Sequence, residues 1–329
     1  MINRPHNVLL LLISTLFSVL LSAAEIDSVT PRNLPLDNAL GAINTVFNQR
    51  ISAAVHSANP EAIEDQGAHC DEEALYLQLR KAIFQTYTPY WGLMGYSLDQ
   101  QMRELLVKHS YSLSLNDSIY RDLDYLEAFS LNLKELSDVV NINGHLIGVD
   151  KIGHFFAEGW QYFSRTQEKQ SLQQSLQWGK EQEQGKFGYV TTGVFSFADL
   201  TANFNGWLFW NRVLLKQANP LYGAVTHFFS APYVSCDLKL MASLQQQRPI
   251  RRWVVNQSFD FSDYVDGVWD EGNNCNSYKD PMIEQKVRTR ITEVNPQFRC
   301  PHQVDECLEG RQKYRHFSKY LLHPFCLIQ

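Results

Sequence analysis

The chain has 329 residues, of which 44% are hydrophobic and 19% charged, with a formal net charge of −6. This is an ordinary globular composition, long enough to bury a sizeable core in one large domain or two smaller ones. The mixed, slightly acidic charge argues against nonspecific nucleic-acid binding, so no nucleic-acid partner is expected.

Arg4 and the α-amino group precede a mostly apolar run from Val8 to Leu21, which is followed by Ser22, Ala23, Ala24 and Glu25. That charged, apolar, small-residue order predicts a secretory signal peptide over residues 1–24, cleaved after Ala24. No Cys follows the run, which argues against a lipoprotein anchor; an uncut N-terminal anchor is the alternative. Either way the expected location is periplasmic or secreted. Export bears on the six cysteines, Cys70, Cys236, Cys275, Cys300, Cys307 and Cys326. An even number in an exported chain favours disulfides, with fifteen complete pairings open. Cys300 and Cys307 are close enough in sequence to close a small loop, and no C-x-x-C pair suggests structural zinc.

Residues 36–57 and 71–109 read mostly as helix, with Leu75, Leu79, Ala82 and Ile83 at helical spacing. Thr88 to Ser97, which contains Pro89, Gly92 and Gly95, reads as a break or loop. A further helix is expected after Asn116, capped by Asn116 or Ser118, with Leu123, Leu126 and Phe129 facing a core. Two helices stand out next, Val149 to about Arg165 and Ser196 to about Gln217. Between them lie a Gln-rich, exposed-looking run from Gln167 to Gln184 and a short strand expected within Gly185 to Gly193. From Pro249 onward the segments are short and mixed, and they carry four of the six cysteines. The expected fold is mainly α: a helical domain over 25–250, with a disulfide-tied, irregular region over 251–329 packed on the same domain.

On a helical wheel, Asp150, His154, Glu158 and Gln161 share one stripe, with Lys151 at its edge, opposite Ile152, Phe156, Trp160 and Phe163. A solvated polar face is the plain explanation. The second helix, Ser196 to Trp210, is apolar or aromatic in nearly every direction, yet Asp199, Asn203 and Gly206 share a stripe. A carboxylate in such surroundings costs several kcal/mol unless a cation or hydrogen-bond donors meet it. Lys151 and His154 are the candidate partners, and Gly206 allows the two helices to approach closely. Ser196 and Asp199 also fit a capping box, which leaves Asn203 unexplained.

Asp150-Lys151-Ile-Gly-His154-Phe155 and Ser196-Phe-Ala-Asp199-Leu-Thr-Ala-Asn203-Phe-Asn-Gly206 resemble the D-K-x-x-H-F and S-x-x-D-x-x-A-N-x-x-G signatures of VanZ-like and related small bacterial envelope proteins. The resemblance covers residues 150–206, implies an envelope protein and carries no reaction with it. VanZ-like proteins consist of several membrane-spanning helices. Here nothing after residue 24 supplies eighteen uninterrupted apolar residues.

These residues lead to a hydrolase reading, with an envelope lipid or glycan as substrate. His154 is the candidate general base, oriented by Asp150 or Asp199, and Glu158 is a second acid/base group. Lys151 would stabilise developing negative charge, while Asn203 and Ser196 complete the binding set. No G-x-S-x-G element marks a nucleophile, so a directly activated water is the simpler mechanism. No cofactor is required. A divalent metal held by Asp150, His154 and Glu158, with His145 or Asp199 completing the shell, is the alternative. Two noncatalytic readings stand beside it: a binding or scaffolding protein whose polar residues fix the helix register, and a peripheral protein lying on a membrane surface through the aromatic helix from Phe195 to Trp210. The acidic, aromatic stretch from Phe259 to Cys275 reads as turns near a disulfide.

Overall fold

The computed structural model describes residues 25–59, 70–86, 91–133, 135–222, 231–241 and 248–328. The expected signal peptide lies outside them.

Helix α1 spans Leu40–Ser57 and α2 Glu72–Phe84. α2 starts where the Asp71 carboxylate accepts from the backbone N–H groups of Glu73 and Ala74, a side-chain cap for otherwise orphaned donors. α3 runs Trp91–Leu106. Gly92 and Gly95 are therefore helical and not part of a loop. Gly95 is small because a later helical segment lies against it: a Cβ there would meet that of Ala157 at 3.4 Å.

A three-stranded antiparallel sheet follows, in the order β1 (Ser110–Tyr111), β2 (Val139–Ile142), β3 (His145–Gly148). Asn143 and Gly144 turn the β2–β3 hairpin with φ of 55° and 96°, the left-handed pair that Asn-Gly supplies readily. The stretch after Asn116 forms a 3-10 turn, Leu115–Asp117, and the short helix α4, Phe129–Leu133. Leu123 is buried as expected, but Leu126 is 90% exposed.

The hairpin delivers the chain into α5, composed of Asp150–Gly153, a π-helical turn His154–Glu158, and Gly159–Gln167. The Gln-rich run is α6, Leu172–Gln182, opened by a Ser171/Gln174 capping box and followed by a second π-helical turn, Glu183–Phe187. The expected strand within Gly185 to Gly193 is not formed. The strand is β4, Val194–Phe195, paired with β7, Ser277–Tyr278. α7 covers Phe197–Leu214, and β5 (Val234–Met241) pairs with β6 (Arg248–Val255). The C-terminal region is more helical than its composition suggests: α8 Pro281–Val294, α9 Val304–Tyr314, α10 Ser318–Leu321 and α11 Pro324–Ile328.

Three disulfides join Cys70 to Cys236, Cys275 to Cys300, and Cys307 to Cys326. Cys300 and Cys307 thus take different partners. One apolar cluster runs from Ala39 through α1, α2, α3, α5 and α7 to Cys326, so both chain halves share a core. α7 lies at its centre, with sixteen of its eighteen residues buried. Its aromatic faces are covered by protein: Phe209 packs on Phe155, Phe156 and Phe259, and Trp210 on Trp160. The helix therefore has no free face for an interfacial anchor. No described helix is long and apolar enough to cross a membrane.

α5 and α7 cross at glycines. A Cβ on Gly206 would fall 1.8 Å from the Phe155 carbonyl oxygen, and one on Gly159 would fall 2.5 Å from the Gly206 Cα. The close approach expected of Gly206 is present, and Gly159 is its counterpart. It sets the two polar stripes face to face in the interior.

Candidate functional site

Lys151 is the hub. Its Nζ lies 2.8 Å from Asp150 Oδ2, 2.6 Å from Asp199 Oδ1 and 2.7 Å from Glu271 Oε1, and its side chain is 1% exposed. Burial alone would lower its pKa, but the three carboxylates outweigh it and raise the value well above normal, so the ammonium keeps its proton. The stripe that a solvated face would have explained is instead interior: Asp150, Lys151, His154, Glu158, Asp199 and Asn203 are all buried.

Ser196 caps α7 as expected, its Oγ accepting from the Asp199 N–H at 3.2 Å and donating to Glu271 Oε1 at 3.0 Å. The Asp199 side chain does not complete a capping box. One oxygen meets Lys151, and the other lies 3.1 Å from His154 Nε2. Burial would raise the Asp199 pKa, but His154 and Lys151 together hold it well below the usual carboxylate range. Asp150 and Glu271 are raised by burial, with Lys151 offsetting part of the effect.

Asn203 explains itself through His154. Its amide oxygen lies 3.1 Å from His154 Nδ1; turned round, the amide nitrogen would instead meet Nδ1 and the carbonyls of His154 and Asp199. Burial lowers the proton affinity of the ring, while Asp199 more than reverses this and pulls it up. His154 Nε2 faces Asp199 Oδ2 at 3.1 Å, and Nδ1 lies 3.1 Å from the Asn203 amide. Both ring nitrogens are thereby engaged.

Further acids surround this centre. Burial raises Glu158 to about 7, with His154 opposing, and burial plus the charge of Asp199 raises Glu183 to about 8. Glu25 and Asp99 are raised well above normal, chiefly by burial. Asp99, on α3, lies against Gly153, where a Cβ would come within 2.3 Å of its Oδ1. The Asp99 and Asp150 Oδ1 atoms are buried without a hydrogen-bond partner among the described residues. Glu25 accepts from Thr192 Oγ1 at 2.6 Å, and Glu271 Oε2 accepts from Asn276 at 2.7 Å.

Sequence reasoning therefore located Asp150, Lys151, His154, Glu158, Ser196, Asp199 and Asn203 in one region, and missed Glu25, Asp99, Glu183 and Glu271. His145 is elsewhere, its Nδ1 3.9 Å from Glu306 Oε1. For a metal, Asp150, His154 and Asp199 offer ligand atoms within 4.8 Å of one another, and Glu158 is not among the three. An ion there would have to displace the His154 proton and compete with Lys151 for both carboxylates.

No family model, curated protein or solved structure matches this chain. The three disulfides suggest an oxidising, extracytoplasmic location.

Proposed function

We propose that the protein is an exported hydrolase of the cell envelope that works by acid–base chemistry at the Lys151–Asp199–His154 centre. The observation that carries this reading is the separation of pKa values within one buried cluster: Asp199 is held far below the carboxylate range while Glu158 is raised to about 7. Carboxyl groups driven apart in this way divide into a fixed anion and a proton carrier.

In this scheme Glu158, ionised above its pKa, takes a proton from water as the oxygen attacks the scissile centre. It then returns that proton to the leaving group. His154, with both nitrogens engaged, is a poor base in this arrangement and acts with Lys151 to set the field around the reacting oxygen. That division differs from the sequence expectation, which gave the base role to His154. A signal peptide cleaved after Ala24 and the VanZ-like resemblance of residues 150–206, both sequence expectations, would fit an envelope lipid or glycan as substrate.

The test is incubation of wild type, Glu158→Gln and Asp199→Asn with envelope fractions from a strain lacking the gene, followed by mass spectrometry of released products. Product release by wild type that both folded variants lose is the expected result. Equal product profiles from wild type and Glu158→Gln would refute the assignment. Full burial and the double engagement of His154 favour a second reading, in which the network is a structural lock between α5 and α7. In that case all three proteins release nothing, and Asp199→Asn loses stability instead.

A further inference from the structure

A separate cavity of about 230 Å³ lies between α8, the Tyr120 region and the segment carrying Glu271. At about 30 Å³ per water it has room for roughly eight water molecules, or one small organic molecule. Its polar wall is incompletely satisfied. Tyr120 is fully buried, yet its hydroxyl has no hydrogen-bond partner among the described residues. Asn276 donates its amide N–H to Glu271 Oε2 at 2.7 Å, and its own buried Oδ1 has no partner among the described residues. A buried donor or acceptor left unpaired costs about 1–3 kcal/mol. Tyr120 and Asn276 both line this cavity, so a donor and an acceptor call for an occupant that can do both.

The remaining wall narrows the class. Ile26, Val29 and Phe298 are apolar and buried, and Phe325 stands half-exposed at the edge. Arg288 also lines the cavity, but its guanidinium is already paired with Glu284 at 2.7 Å, which leaves little net charge to attract an anion. Burial lowers His323 to about 4, so its ring is neutral at neutral pH. The Glu271 carboxyl at the inner wall further disfavours an anion. Hydroxyl groups that donate and accept, on a frame with an apolar face for an aromatic ring, describe a sugar.

We infer that this cavity is a binding site for a neutral, hydroxyl-rich molecule of monosaccharide size, with Tyr120 donating to a ligand hydroxyl and Asn276 accepting from one. The inference is independent of the acid–base reading, since Glu158 does not line the cavity.

Calorimetric titration of the disulfide-intact chain with glucose and with N-acetylglucosamine tests it. Saturable one-site binding of at least one sugar is expected. Tyr120→Phe should weaken it about tenfold while the melting temperature stays the same or rises, because the lost hydroxyl has no partner among the described residues. Glu158→Gln should bind as wild type does. No saturable binding of either sugar up to about 0.1 M, which would mean a cavity filled by water alone, overturns the inference. Affinity unchanged in Tyr120→Phe overturns it equally.

Discussion

Replacing Glu158 with Gln should make the protein more stable, and increasingly so as the pH rises. Burial moves this carboxyl from 4.5 to about 7 in the folded protein. The native state therefore holds a proton that the unfolded chain releases at about pH 4.5. Between those values unfolding releases a proton, so wild-type stability falls as pH rises and the loss is complete above the folded pKa. A shift of about 2.5 units corresponds to roughly 3 kcal/mol, and Gln keeps the shape of the side chain without this cost. Glu183, Glu25 and Asp99 titrate in both proteins and largely cancel in the difference. At roughly 2 °C per kcal/mol for a chain of this size, Glu158→Gln should match wild type near pH 4 and melt about 6 °C higher above pH 8. Calorimetry of both proteins from pH 4 to 9 gives the answer. A difference that does not vary with pH would mean that Glu158 is not held with a raised pKa, and the acid–base scheme would fall with it.

The other predictions concern the centre and its support. Lys151→Met leaves Asp150, Asp199 and Glu271 without their shared cation, and should cost about 3–5 kcal/mol in urea unfolding; a change below about 1 kcal/mol would show that the carboxylates do not depend on it. Gly206→Ala drives a methyl group into the Phe155 carbonyl, so α5 and α7 must separate. A loss of about 3 kcal/mol or more is expected, and a soluble protein with the wild-type melting temperature would contradict the close crossing. Nitrogen-15 chemical shifts of His154 at pH 7 should report both ring nitrogens protonated, since Asp199 raises the proton affinity of the ring. A bare Nδ1 would contradict this and place the Asn203 amide nitrogen against it.

The parts of the site that follow one another along the chain were legible because helical spacing is local. Asp150, Lys151 and His154 fall within one turn or so of α5, Ser196 carries a cap signal, and Asp199 in an aromatic helix demands a partner. Gly206 signalled a close crossing, while its counterpart Gly159 becomes meaningful only once the crossing is seen. Other features had readable signals that went unused. Asn143-Gly144 between apolar runs marks a hairpin, and Asp280-Pro281 is a helix start with a capping carboxylate and proline in the first turn. Glu271 and Asp99 had none. Glu271 reaches Lys151 across 120 positions, from a stretch that looks like acidic turns, and Asp99 lies on a helix whose glycines suggest a loop. Disulfide pairing was undetermined for the same reason: Cys70 and Cys236 are separated by 166 positions.

The acids that were not legible bear on the choice between lock and catalyst. A structural lock needs Lys151 with Asp199, Asp150 and Glu271 around it, together with the His154–Asp199–Asn203 chain; these alone tie α5, α7 and the C-terminal segment together. Glu25, Asp99, Glu158 and Glu183 make no ion pair among the described residues, yet each is buried and held with a raised pKa. Apolar residues of similar volume would serve packing better, since a buried ionisable group rarely gains stability over a hydrophobic one. Glu158 and Glu183 moreover titrate near 7 and 8, where a group can both take and give a proton in neutral solution. A stability cost placed beside an imidazole fits the proposed proton-transferring centre better than a lock.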